Sequence, residues 1–149
     1  MFAEVMREKG YAAYRGRLHA LLGIPEDATD TQIHNSIVHG FPAARLMELC
    51  EQGDVTPLER DQIIPLRTLK TRLSKDQLLT VDESDRLYRT AHITAMAQTV
   101  FGDKDKAKRW LSKPKERFTG QAPMTLLATL QGTRQVEEML LQIAEGYAF

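Results

Sequence analysis

Between Arg67 and Lys75 the chain sets two arginines, two lysines and two threonines into nine residues. These groups hydrogen-bond phosphate oxygens and the edges of bases. Leu66, Leu69 and Leu73 fall at i, i+3 and i+7, so the spacing predicts a helix with these leucines on one buried face. Arg67, Thr68, Lys70 and Thr71 then face outward. Arginine contacts guanine through two hydrogen bonds, and a threonine methyl packs on thymine. Arg67, Thr68 and Thr71 are therefore the candidates for base contacts. Lys70, Arg72 and Lys75 are the candidates for phosphate contacts, which fix register and carry little sequence information. The same residues also describe a plain solvated face on a short helix.

No comparable set supports catalysis. The four histidines are His19, His34, His39 and His92. His34 and His39 are five apart, off a common helical face, and Cys50 is remote from both. No CxxC, HExxH or Cys–His set exists, so neither a metal nor a cofactor is implied. Ser36, Ser74, Ser84 and Ser112 stand in capping or helical contexts without a glycine elbow, and no glycine-rich phosphate cradle is present. Glu137, Glu138, Asp103 and Asp105 read as solvated helix charges. The lone Cys50, in a helical pattern with Leu46, Met47 and Leu49, reads as a buried inert thiol and fits a reducing cytoplasm.

The elements that must carry these residues are helices nearly throughout. Tyr14, Leu18, Leu21 and Leu22 repeat at helical spacing up to Gly23 and Pro25. Thr29 or Asp30 caps a helix with Ile33, Ile37 and Val38 that ends at Gly40, and Pro42 opens one carrying Leu46, Leu49 and Cys50 to Gly53. Thr56-Pro57-Leu58-Glu59 is a capping box with proline at the first helical position. The short helix from Pro57 to about Ile64 and the next, from Pro65 or Leu66 to about Ser74, form a helix-turn-helix pattern. Its turn, Ile63-Ile64-Pro65, departs from the usual small or glycine-containing one, and Pro65 disfavours helical geometry at Ile64. Thr80-Val81-Asp82-Glu83 is a second capping box, opening a long helix with Leu87, Ala91, Ala95 and Val100. No stretch alternates as a half-buried strand does. The fold class is all-α.

Twenty basic and twenty acidic side chains among 149 residues leave no net charge. The distribution is uneven. Residues 61–117 hold thirteen basic and eight acidic side chains, whereas residues 1–60 hold six and nine and residues 118–149 one and three. A basic middle between acidic ends is the footprint of one module facing phosphates. Lys104, Lys106, Lys108, Arg109, Lys113, Lys115 and Arg117 extend that middle as a wet surface. No apolar run approaches the roughly 20 residues that span a bilayer, so no membrane is implied, and the first residues lack a signal-peptide pattern.

The segment from Phe101 to Phe149 reads as three short helices. Gly102 caps the long helix, Pro114 stops the one carrying Trp110 and Leu111, Pro123 opens the second, Gly132 closes it and Thr133 caps the third. Trp110 is expected as the core anchor of this region. After Gly146 come Tyr147, Ala148 and Phe149, an apolar, aromatic tail suited to another protein's pocket or to folding back on its own domain.

The ordered set Gly102, Ala107, Trp110-Leu111, Pro114, Gly120, Pro123, Leu126-Leu127, Thr129, Gly132, Val136, Leu140, Ile143, Gly146 resembles the C-terminal domain of the Xre/MbcA/ParS antitoxin family. Arg67-Thr68-Leu69 and the run from Leu79 to Leu87 match the family's upstream stretch, and the resemblance covers roughly residues 30–149. It implies three regions: N-terminal helices over 1–52, a helix-turn-helix region with a long connecting helix over 53–101, and a toxin-binding domain over 102–149. It further implies a non-enzymatic antitoxin whose partner is a RES-domain toxin that depletes NAD, with Arg134, Gly146, Tyr147, Ala148 and Phe149 as toxin contacts. Operator DNA is the second implied partner, bound by a homodimer in autorepression, with a hetero-oligomer forming with the toxin. Phe2, Val5, Met6 and Tyr14 would form the dimer surface or pack on the helix-turn-helix. A stand-alone regulator whose C-terminal domain dimerises or senses a ligand is the alternative, and a localisation adaptor a third reading.

Overall fold

Most caps and breakers divide the chain where the sequence places them. A computed structural model describes residues 7–146. Helix α1 (Arg7–Leu22) ends at Gly23, whose N–H reaches His19 O at 2.7 Å. Thr29 closes a reciprocal capping box with Gln32 and opens α2 (Asp30–His39), and α3 (Ala43–Glu51) follows. Thr56 with Glu59, and Thr80 with Glu83, close the two expected capping boxes. They open α4 (Pro57–Ile63) and α6 (Val81–Phe101), and α5 (Leu66–Ser74) lies between them. Each box satisfies first-turn N–H groups that have no helical acceptor.

Helix α6 ends at Gly102, in the left-handed region at φ 68°, where a side chain would be strained. Asp103 then caps α7 (Lys104–Ser112), and short 3-10 turns follow at Glu116–Phe118 and Pro123–Ala128 before α8 (Leu130–Ala144). Among the described residues the extended pairings are single bridges, Pro42 with Leu78 and Lys115 with Gln121. The all-α expectation holds.

Helix α6 is the axis of the molecule. Leu87, Ile93 and Met96 are buried on it, as are Ala91, Ala95, Ala97, Thr90, Thr94 and Gln98, so its second half is covered on every side. A helix apolar or small-residued all round is one with neighbours all round. Helices α1, α2, α4, α7 and α8 and the Pro123–Ala128 turn all pack on it, while α3 packs on α5. Core residues from Tyr14 to Leu140 form one continuous cluster.

Four expectations change. Gly132 does not close a helix. It lies in the first turn of α8, which Thr129 caps by accepting from the Gly132 N–H at 3.0 Å. A Cβ at residue 132 would stand 2.0 Å from Leu126 O, so glycine is there for close approach. Thr133 is accordingly no cap; its hydroxyl donates to Thr129 O at 2.7 Å. Trp110 is half-buried rather than a core anchor, tilted against Phe101 at 5.6 Å with the Lys115 ammonium 5.3 Å from its ring centre. Its neighbours Ala107 and Leu111 take the buried positions. Leu66 leaves the expected leucine face: it is exposed, Leu69 is fully buried and Leu73 partly so.

Candidate functional site

The junction between α4 and α5 is two extended residues, Ile64 at φ −160°, ψ 139° and Pro65 at φ −60°, ψ 142°. Proline's ring excludes helical geometry from the residue before it. Ile63 and Ile64 are both 1% exposed, so their carbonyls need partners from the protein. Two arginines supply them. Arg86 on α6 donates to Ile63 O through Nε at 3.1 Å and Nη2 at 2.9 Å, and Arg60 donates to Ile64 O at 3.1 Å. The apolar turn is thus held by Arg86 of α6 and by Arg60 of α4 itself, which stand in for the small-residue turn the pattern lacks.

Helix α5 presents Arg67, Lys70, Thr71 and Lys75 as exposed residues, with Thr68 partly covered. The Thr71 hydroxyl donates back to Arg67 O at 3.1 Å. Arg72 is different. Its guanidinium meets Glu83 in a two-pronged pair, Nη1 to Oε1 and Nη2 to Oε2 at 3.1 Å. Glu83 is 8% exposed, and its Oε1 also accepts from Thr80 N at 2.8 Å. Burial raises this carboxyl's pKa, but the bonds from Arg72 and Thr80 outweigh it and hold the group below the usual carboxylate range. Arg72 therefore fastens α5 to the start of α6, and the outward basic face consists of Arg67, Lys70 and Lys75.

The second surface is built on α7 and α8. Arg134 is exposed near the start of α8, and Gly146 is exposed just beyond its end, at φ 90°. Twelve residues of helical rise separate them by about 18 Å, so they are not neighbours. Tyr147, Ala148 and Phe149 lie outside the described residues, as do Phe2, Val5 and Met6. Close to Gly146, a groove of about 490 Å³ runs between Trp110, Pro114 and Lys115 on one side and Met139 and Ile143 of α8 on the other.

Helix α8 is tied to the rest of the chain through a network that sequence reading missed. The Tyr14 hydroxyl of α1 lies 2.5 Å from His92 Nδ1, and His92 Nε2 donates to Glu137 Oε2 at 2.8 Å. Tyr88 stacks on the imidazole, with ring centres 5.9 Å apart and planes 5° from parallel. The bond from His92 holds Glu137 below the usual carboxylate range against its partial burial, so Glu137 is not the free solvated charge expected. Tyr14 is 4% exposed inside this network and unavailable to a dimer surface. Cys50 is half-buried, with burial pushing its thiol up. Among the described residues no group of three His, Cys, Asp or Glu is placed to hold a metal ion, and no helix is long and apolar enough to cross a membrane.

Comparison with known proteins falls on these same surfaces. Residues 96–146 match the family described as the antitoxin Xre/MbcA/ParS C-terminal toxin-binding domain. That span takes in the end of α6, all of α7 and α8 and the groove between them. A Pseudomonas putida protein named antitoxin Xre is 68% identical over 147 residues, which cover 99% of this chain and 92% of the relative. A Yersinia enterocolitica protein, also named antitoxin Xre, is 33% identical over 128 residues, covering 84% of this chain and 86% of the relative.

Proposed function

The chain belongs to the Xre/MbcA/ParS family of antitoxins, and from that footing we propose that its toxin is a RES-domain enzyme that depletes NAD and that it represses its own operon by binding operator DNA. It is an antitoxin with a C-terminal toxin-binding domain. The toxin-neutralising step is steric. The domain of α7 and α8 docks on the toxin and covers the NAD pocket, with Gly146, Tyr147, Ala148 and Phe149 reaching towards its entrance. The observation that carries this reading is the apolar groove of Trp110, Met139 and Ile143 opening beside Gly146, inside the span matched to a toxin-binding domain. Arg134, about 18 Å away along α8, serves a separate rim contact rather than the pocket entrance.

The DNA-binding reading rests on α5. Arg67, Thr68 and Thr71 are assigned to bases and Lys70 and Lys75 to phosphates. Arg72 is reassigned to holding the helix in place. Operators of such repressors are two-fold symmetric, so a homodimer binds them, and the toxin complex is a hetero-oligomer. The test is NAD consumption by whatever co-purifies with this chain from its host, before and after the chain is denatured and removed. NAD loss appearing only after removal supports the toxin assignment. A co-purifying toxin that leaves NAD untouched sinks it.

A further inference from the structure

A cavity of about 370 Å³ lies where the turn after α3, the first turn of α4, the middle of α6 and helix α7 meet. At its inner wall Glu59 is 3% exposed. Its Oε1 accepts from Thr56 N at 3.0 Å and completes the α4 cap, while Oε2 has no hydrogen-bond partner in the protein. A buried carboxylate oxygen left unpaired is costly, and a donor entering the cavity would relieve that cost. Burial pushes the Glu59 carboxyl up, against the lowering pull of the Thr56 bonds and of the Lys108 charge.

The rest of the lining describes what such a donor is attached to. Thr94 and Gln98, both buried, add an acceptor hydroxyl and a carboxamide. The Gln98 oxygen already accepts from Arg17 at 3.3 Å but has a second lone pair. Glu59, Thr94 and Gln98 thus line the cavity with three acceptor groups. Ala107, Leu111 and Met124 line the remaining wall as an apolar sleeve. At the mouth, Asp54 pairs with Lys104 at 3.9 Å, and Asp105 and Lys108 complete the rim. With Glu59 charged, the carboxylates exceed the ammonium groups by one, which selects a cation over an anion.

We propose that this cavity binds a small organic cation, a protonated primary amine on a short aliphatic stem, with its ammonium at the Glu59 carboxylate and its carbons along Ala107, Leu111 and Met124. Glu59 is the third residue of α4 and Ala107 belongs to α7, so the bound amine touches both the helix-turn-helix and the toxin-binding domain. The inference goes beyond toxin and DNA binding and does not depend on either.

The probe is n-butylammonium chloride, titrated into the full chain and followed by amide chemical shifts, with sodium butyrate as the anionic counterpart. Saturable shifts at Gly53, Glu59, Gln98 and Ala107 with butylammonium, absent with butyrate, are expected. Glu59→Gln keeps the cap, because an amide oxygen also accepts from Thr56 N, and should weaken binding by about tenfold or more, the worth of one hydrogen bond to a charged group. Lys108→Ala, which removes a competing cation at the mouth, should tighten it. Thr94→Val spares the cap altogether and should weaken binding should Glu59→Gln fail to fold. No saturable response to butylammonium overturns the proposal, as does an equal response to butyrate or binding unchanged in a folded Glu59→Gln protein.

Discussion

Arg72→Ala separates a residue that holds α5 in place from one that touches DNA. The substitution leaves Glu83, 8% exposed, with the Thr80 N–H as its remaining charge-stabilising contact among those on α5 and the cap. Removing one partner of a buried ion pair costs about 3–5 kcal/mol. Here the side chains are 19% and 10% exposed and the cap bond survives, so water and Thr80 recover part of that. About 2–3 kcal/mol is expected, a loss of roughly 4–10 °C in Tm for a chain of this size. Urea denaturation of Arg72→Ala, Glu83→Gln and the double variant gives the coupling directly, since the pair's energy is what the two single losses fail to add.

The DNA assay completes the separation. A phosphate contact contributes about 0.9 to the slope of log affinity against log salt. Measured on the DNA upstream of the chain's own reading frame, Lys70→Ala and Lys75→Ala should each lower that slope by about 0.9 and leave stability within about 0.5 kcal/mol. Arg72→Ala should weaken binding with the slope unchanged, because α5 is displaced while its outward cations are intact. An Arg72→Ala protein of unaltered stability whose slope falls by about one would refute the reasoning and return Arg72 to the phosphates.

Gly132→Ala should destabilise the chain by about 1–3 kcal/mol, the range for forcing atoms into a filled contact, even though alanine is the better helix former. The new Cβ meets Leu126 O at 2.0 Å, and thermal melting checks the loss. Acid should unfold the protein through Glu83 and Glu137. Both are held below the ordinary value, so their contribution is full above the unfolded carboxyl pKa of about 4.3 and is lost as pH falls through the folded values. Glu83→Gln and Glu137→Gln should each flatten the acid limb of stability against pH, measured by urea midpoints. Deleting residues 147–149 should abolish toxin neutralisation and spare DNA binding, and Arg67→Ala should do the reverse. Growth rescue and mobility shift read the two.

What the sequence discloses here is local. The threonine caps before Gln32, Glu59 and Glu83, the end of α6 at Gly102 and the break at Pro114 each depend on residues within one turn of one another. They are legible because capping is short-range chemistry. Arg72 looked like its neighbours because what distinguishes it is eleven residues away, at the second oxygen of a glutamate already read as a cap. The same holds for Arg86, 23 residues from the carbonyl it binds, and for His92, 45 residues from Glu137. Gly132 was misread for another reason. A glycine that ends a helix and one that lets two backbones touch have the same spacing to a following threonine, and the distinction is Leu126 O. Leu111 and Pro114 beside Trp110 suggest a helix end packed inward, but it is Ala107 and Leu111 that are buried, while Lys115 lies over the Trp110 ring.

Both binding surfaces are attached to one helix. Helix α5 is fastened to Glu83 in the first turn of α6, and the turn before it to Arg86 one turn on. Helix α8 is fastened to His92 at the middle, and α7 follows from Phe101 and Gly102 at the end. The 21 residues of α6 span about 32 Å, and residues 93–98 are buried without a break. Such a helix has packed neighbours all round and no glycine or proline within it, so it carries no hinge. On the proposed reading, a toxin docked on α7 and α8 stands at a set distance from the basic face of α5. On that same proposal, the toxin's effect on operator occupancy comes from its own bulk and charge beside the duplex and from how many copies one operator seats.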